Sequence, residues 1–162
     1  MKLVLLSGGH DSANLVSHNP GCIAVFVDYG QRAVRREFIA AVEVAGRFGV
    51  DLVTLRVDPI KHIDGVWHGR NLMLVGVAMP VAVERGCDAI LIGVTPEDHA
   101  RYPDCRSEFI ASLDAACRSA YGVGVQAPLR QRPSYIVEGT WSCDLDGAKP
   151  CGACRSCRKG VR

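Results

Sequence analysis

The sequence predicts an α/β fold, an open parallel sheet of about five strands with helices on both faces, followed by a small C-terminal metal-binding segment. Three observations carry this. Short apolar runs alternate with longer stretches of helical period, the pattern of βαβ units. That alternation weakens after Tyr121, where prolines and glycines multiply. Four of the eight cysteines crowd into residues 143–157.

The elements follow in order. Lys2 to Leu6 holds the apolar run LVLL before Ser-Gly-Gly and reads as a buried strand. The helix behind it has room for barely two turns before Pro20-Gly21. CIAVFV (Cys22 to Val27), DLVTLRV (Asp51 to Val57) and AILI (Ala89 to Ile92) read as three further strands. Between Arg32 and Phe48, apolar residues at 34, 38, 42, 45 and 48 mark one helix face. Asn71 to Arg85 is apolar almost all round and reads as a buried helix. Arg106 to Tyr121 is amphipathic through Phe109, Ile110, Leu113 and Cys117. The expected division is 1–121 as an α/β domain and 122–162 as a cysteine-bearing, metal-binding segment packed on it. That last stretch has few apolar anchors: Val123, Val125, Leu129, Tyr135, Ile136, Val137, Trp141 and Leu145. Something other than a core is expected to hold it.

Composition narrows the class. A chain of 162 residues, 48% hydrophobic and 22% charged, fits one domain and excludes disorder. No apolar run approaches the ~18 residues of a membrane span. The N-terminal apolar run is too short for a signal peptide, so a cytoplasmic location without a membrane partner is expected. A net charge of +2 gives no global signature of a nucleic-acid binder, and no nucleic-acid partner is expected. The charge is uneven: residues 1–117 carry 11 Lys/Arg against 14 Asp/Glu, and residues 118–162 carry 8 against 3.

Ser7-Gly8-Gly9-His10-Asp11-Ser12 lies between the first strand and its helix. Strand ends of this kind bind ligands in open α/β sheets. Glycines let the backbone approach an anion, and the helix start presents N–H groups and a partial positive charge. Asp11 would help to hold a divalent cation. The plainer reading is a capped turn with Asp11 or Ser12 as N-cap. The hexapeptide is neither a Walker loop nor GxGxxG.

The spacing Cys143-x7-Cys151-x2-Cys154-x2-Cys157 suits four tetrahedral thiolates on Zn²⁺. An iron–sulfur cluster or a redox CxxC pair are the alternatives at this point. Arg155, Arg158 and Lys159 could offset the charge of a Zn(Cys)4 centre, or form a solvated basic tail. His62, His68 and His99 are not expected to be metal ligands.

SGGHDS after a short N-terminal strand resembles the pyrophosphate loop of the N-type ATP pyrophosphatases (PP-loop superfamily). Four further stretches narrow the resemblance: VDYGQR (Val27 to Arg32), GRN (Gly69 to Asn71), GVTPEDHARYPDCRSEFI (Gly93 to Ile110) and WSCDLDGAKPCGACRSC (Trp141 to Cys157). In this order they resemble the 7-cyano-7-deazaguanine synthase family of the queuosine precursor pathway. YPDCR-x-EF together with the cysteine cluster is the most specific match.

The resemblance implies a Rossmann-like sheet of the adenine nucleotide alpha hydrolase type. It implies an ATP-dependent carbon–nitrogen ligase that converts 7-carboxy-7-deazaguanine and ammonia into the nitrile, through an acyl adenylate and an amide. ATP and Mg²⁺ are the implied cofactors, with structural Zn²⁺ on Cys143, Cys151, Cys154 and Cys157, and a homodimer is implied as well. Ser7, Gly8, Gly9, Asp11 and Ser12 would hold pyrophosphate and Mg²⁺. Asp28, Tyr29, Gly30 and Gln31 would face the nucleoside. Arg70 and Asn71 would sit near phosphates or the carboxylate and act in catalysis with Asp11. Asp98, Tyr102, Asp104 and Arg106 would read the deazaguanine. For Asp104, capping the helix that follows is the plainer reading; for Cys105, small apolar packing stands beside a nucleophile.

The chain departs from the family in length. The first helix, the segment between Val57 and Gly69, and the stretch from Pro128-Leu129 to Trp141 are short. Rival readings are a ligase that stops at the amide or couples another amine, a catalytically dead nucleotide-binding module, and a zinc-ribbon nucleic-acid partner motivated by the basic tail.

Overall fold

The computed structural model describes residues 1–58, 68–131 and 135–158. His62, Pro133 and Lys159 lie outside them. Five strands form one sheet: β1 (Lys2–Leu5), β2 (Ile23–Asp28), β3 (Asp51–Arg56), β4 (Ala89–Leu91) and β5 (Gly124–Gln126). Their order is β3-β2-β1-β4-β5, and every pairing is parallel. The order reverses between β1 and β4. Connections leave the sheet in opposite directions there, and a crevice opens at the carboxyl ends of those strands.

Alternation along the strands sorts the core into two faces. Leu3, Leu5, Ile23, Val25, Val27, Ile90 and Ile92 face α3 (Arg70–Glu84) and α5 (Ser107–Tyr121) through Val75, Ala78, Met79, Ala82, Ile110 and Cys117. Val4, Leu6, Ala24, Phe26, Ala89 and Leu91 face α1 (His10–Ser17) and α2 (Val34–Phe48) through Ala13, Leu15, Val16, Ala41, Val44 and Ala45. Helices therefore cover both faces, as expected. A four-residue helix, α4 (Pro96–His99), and a further short helix, α6 (Arg155–Arg158), complete the α-helices among the described residues, beside 3-10 turns at Pro103–Cys105 and Pro128–Arg130.

Three local expectations need correction. The inward stripe of α2 is only partly 34, 38, 42, 45 and 48: Ala45 is buried and Val34 and Phe48 pack against the core, but Phe38 is 39% and Val42 47% exposed, and Ala40, Ala41 and Val44 are buried beside Ala45. Small alanines let the helix lie close on the sheet, so the buried face turns toward 40, 41 and 44 and leaves Phe38 and Val42 at its edge. Nor is α3 buried all round. Leu72 and Val83 are half-exposed and, with Tyr121 of α5, border an open apolar groove.

The third concerns the tail. Val123, Val125, Leu129 and Val137 are buried in the two core clusters, so part of the C-terminal stretch is held by core packing after all. Tyr135 and Ile136 are about half-exposed and anchor little by burial. β5 itself lies past residue 121 and pairs with β4, so the sheet takes its last strand from that stretch.

Candidate active site and metal centre

A cleft of about 1220 Å³ opens over the carboxyl ends of the central strands. Its floor is the loop from Ser7 to α1. Gly8 has φ +81°, and a Cβ there would collide with the Glu37 carbonyl oxygen of α2. Only glycine fits so close an approach. Gly9 is the N-cap of α1 and gives no side-chain cap, which removes the reading of Asp11 or Ser12 as N-cap. Those two residues stand inside the first turn instead. The Ser12 hydroxyl donates to the Gly9 carbonyl at 3.0 Å and accepts the Ser7 N–H at 3.2 Å, which ties the loop into a ring. Its oxygen lies 3.1 Å from that of Ser7. Gly93, just past β4, abuts the start of α1: a Cβ there would stand 3.2 Å from the Ser12 nitrogen.

The second wall comes from β2 and α3. Tyr29 and Gln31 line the cleft beside Arg70 and Asn71. Gln31 is buried; its Oε1 accepts the Tyr29 N–H at 3.0 Å and its Nε2 donates to the Val27 carbonyl at 3.1 Å. Burial pushes the Tyr29 phenol up, against the pull of Arg70. Burial works against the Arg70 cation, yet Tyr29, Asp104, Cys105 and Tyr102 hold it above its ordinary value. The guanidinium also lies 5.9 Å over the Tyr102 ring. A permanently charged arginine thus faces the cleft, in a pocket built to keep it charged.

The loop after β4 supplies Asp98 and Tyr102 to the same cleft. Asp98 Oδ2 accepts from the Thr95 N–H and hydroxyl at 3.1 and 2.8 Å and closes the capping box of α4. Asp28, Gly30, Asp104 and Arg106 stand off the cleft wall. Asp28 Oδ1 accepts the Gly30 N–H at 3.0 Å, with Arg56 3.8 Å from its other oxygen. Asp104 does not cap the helix that follows it, whose N-cap is Arg106. It accepts the Asn71 N–H at 3.0 Å and so holds the start of α3. Cys105 is buried, takes a hydrogen bond from Asn71 Nδ2 at 3.3 Å, and is pushed up to about 11 by burial and then by Asp104. A thiol kept protonated in this way fits packing, not nucleophilic attack.

Sequence reasoning missed several cleft residues. Glu37 is one; burial raises its carboxyl from 4.5 to about 7, with Gln31 and Arg70 pulling it back and Asp144 pushing further. Its signal was an acid set on the alanine face of α2. Trp141, Ser142, Asp144, Arg155, Ser156 and Arg158 also line the cleft. They arrive from the C-terminal segment, and nothing in a one-dimensional pattern places a tail over the first loop.

That segment is pinned at several points. Asn14 Nδ2 donates to the Tyr135 carbonyl at 2.6 Å, and its Oδ1 accepts the Tyr135 N–H at 3.0 Å. The Trp141 N–H donates to the Gly8 carbonyl at 2.8 Å. The four sulfurs of Cys143, Cys151, Cys154 and Cys157 then meet within 4.8 Å of one another. Two of the separations are 3.9 and 4.0 Å. A tetrahedron with metal–sulfur bonds of ~2.3 Å has edges of roughly 3.8 Å, so the set could bind zinc with no open position. Backbone N–H groups of Cys154 and Ala153 lower the Cys151 thiol to about 6, while desolvation and then the Cys154 sulfur push Cys157 up to about 12. Preformed N–H···S bonds of this kind favour the thiolate that a metal needs.

The sequence matches the family described as queuosine biosynthesis protein QueC over residues 1–67 and 65–161. The break in the match falls in the short segment before Gly69. The chain is 31% identical over 203 residues to a 7-cyano-7-deazaguanine synthase of Parasynechococcus marenigrum (strain WH8102), covering 96% of this chain and 88% of that one. It is 32% identical over 204 residues to the synthase so named in Synechococcus sp. (strain CC9902), with the same coverage. Alignments longer than the 162-residue chain mean that these relatives carry insertions this chain lacks.

Proposed function

The chain belongs to the QueC family of queuosine biosynthesis proteins, and from that we propose that it is an ATP-dependent ligase converting 7-carboxy-7-deazaguanine and ammonia into 7-cyano-7-deazaguanine. The observation that supports this best is the cleft itself. It sets the Ser7–Ser12 loop, Arg70 and Tyr102 around one space at the switch point of the sheet.

The chemistry asks for what these residues offer. A carboxylate has no leaving group until it is activated. One carboxylate oxygen attacks the α-phosphorus of ATP, and pyrophosphate leaves. The nitrogen of ammonia then attacks the acyl carbon, loses a proton, and AMP leaves with that oxygen to give the amide. The amide oxygen attacks the α-phosphorus of a second ATP, and a second pyrophosphate leaves. Loss of AMP and of both N–H protons then gives the nitrile.

Charge builds on phosphate oxygens in each activation, and the protein's part is positioning and charge stabilisation. The N–H groups at the start of α1 and the hydroxyls of Ser7 and Ser12 receive the pyrophosphate, with Gly8 and Gly9 allowing close approach. Asp11 would hold Mg²⁺, which supplies further neutralisation when bound. Arg70 meets the α-phosphate or the carboxylate, and Asn71 orients the start of its helix. Tyr29 and Gln31 form the nucleoside wall, and Asp28 and Gly30 shape the turn that presents them. Tyr102 and Asp98 face the flat heterocycle, for which an aromatic face and an acid are apt partners. Asp104 is a positioning residue for Arg70, and Arg106 stands at the N-cap position of α5 without a side-chain cap. Structural zinc on the four cysteines holds the segment that closes the cleft. The exposed apolar residues Leu72, Val83 and Tyr121 of α3 and α5 are the surface we assign to a homodimer, which sedimentation tests.

The test is to incubate the protein with ATP, Mg²⁺, ammonium and the carboxylic acid and to weigh the products. Nitrile with AMP and pyrophosphate is expected. Amide alone would show a ligase that stops halfway. ADP with orthophosphate would overturn the adenylation chemistry.

A further inference from the structure

We infer that Arg155 and Arg158, carried by α6, form an anion subsite for the polyphosphate of ATP, so that the four-cysteine centre places substrate-binding arginines as well as holding the tail. This rests on the nucleotide reading of the cleft given above.

The placement is specific. α6 begins directly after Cys154 and contains Cys157, and the Arg158 N–H donates to the Cys154 carbonyl at 3.0 Å. Residues three apart on one helical turn share a face. Both arginines line the cleft that Ser7, Gly9, Asp11 and Ser12 also line. The segment that carries them is locked to the loop. The Trp141 N–H donates to the Gly8 carbonyl at 2.8 Å, and a Cβ on Gly9 would stand 3.8 Å from Ser142 Oγ. Cys143 follows at once and is buried.

The charge of the pair is available to a ligand. Among the described residues neither arginine forms an ion pair with a carboxylate. The neighbouring acid, Asp144, accepts the Ser156 hydroxyl at 2.8 Å instead. Guanidinium groups match phosphate oxygens two at a time, which makes arginine well suited to a polyphosphate. The rival role is neutralisation of the thiolate cluster. It predicts weaker zinc binding on loss of the arginines, with no preference among nucleotides. A polyphosphate subsite predicts the reverse.

The experiment measures equilibrium binding by calorimetry, on the zinc-loaded full chain with Mg²⁺. The probes are a non-hydrolysable ATP analogue, inorganic pyrophosphate and AMP. Arg155→Gln/Arg158→Gln should weaken the analogue and pyrophosphate about tenfold or more, as loss of charged hydrogen bonds does, and leave AMP within about twofold. Zinc content and melting temperature should be unchanged, and lysine at both positions should restore part of the affinity. The single glutamine variants carry the test if the double variant loses zinc. Equal analogue binding by folded wild type and variant overturns this inference alone, as does an equal loss for AMP. A wild type that binds none of the three probes overturns the nucleotide reading and this inference with it.

Discussion

Asp104 Oδ2 accepts the backbone N–H of Asn71 at 3.0 Å, while Asn71 Nδ2 donates back to the Asp104 carbonyl at 3.0 Å. Two motifs 33 residues apart thus lock together. Gly69, the N-cap of α3, has no side chain to cap with, so Asp104 does it from another loop. Arg70 is the first residue of that helix. On the proposed function, the carboxylate would reach the reaction through the arginine it helps to fix.

Asp104→Ala should cost about 1–2 kcal/mol of stability, as the loss of a cap does, and lower turnover by more than it weakens substrate binding. Asp104→Asn keeps an oxygen acceptor and should cost less. Urea melts with steady-state kinetics check this. An alanine variant with wild-type stability would remove the capping role.

Glu37 gives a pH signature. Its pKa stands at about 7 in the folded chain against an ordinary 4.5. The folded state thus holds this proton more tightly than the unfolded chain does. Its stabilising contribution is full below the unfolded value and is lost as pH rises through the folded one. The rise corresponds to about 3 kcal/mol. Glu37→Gln should flatten the fall in stability from about pH 4.5 to above pH 7, read by urea midpoints across that range. Parallel profiles for the two proteins would contradict it.

Gly8→Ala meets two obstacles, a positive φ of +81° and the Glu37 carbonyl oxygen. Gly21→Ala meets only the first, since φ is +74° with nothing within 4 Å. The strain alone costs about 1–2 kcal/mol. Thermal melts should place Gly8→Ala clearly below Gly21→Ala, and ATP binding should fail only in the former. Equal melting temperatures would argue against the tight packing of the loop.

Zinc removal should act locally. A structural four-thiolate site supplies an apparent ~10–16 kcal/mol in small domains. Cys151→Ser or Cys154→Ser should lower solubility and expose residues 138–158 to protease. β5 should stay protected, because it is paired with β4 and packed in the core. One zinc per chain is expected by elemental analysis. An iron-containing brown protein, or a zinc-free chain of full stability, would refute the assignment.

Much of this architecture was legible because it rests on short-range pattern. LVLL before Ser-Gly-Gly, and the β-branched runs at β2 and β3, announce strands by composition alone. The spacing of the cysteines announces, for the same reason, the four-thiol cluster that could hold a metal. The rest depends on distance in space. β5 is three residues long and starts with Gly124, too little for a pattern. The period of α2 places Ala45 correctly, and only the sheet shows that Ala40, Ala41 and Val44 also lie inward while Phe38 and Val42 do not. Asp104 reads as a cap for the next helix until its real partner, Asn71, is seen. Arg155 and Arg158 read as tail charges until the Trp141–Gly8 bond folds them over the loop.

The central claim is that this cleft adenylates a carboxylate. Heavy-oxygen label on both carboxylate oxygens of the acid tests it most directly, with the released AMP analysed by mass spectrometry. The account predicts one labelled oxygen in each AMP released, first from the acid and then from the amide, and none in pyrophosphate. Unlabelled AMP, or label in orthophosphate, would contradict it.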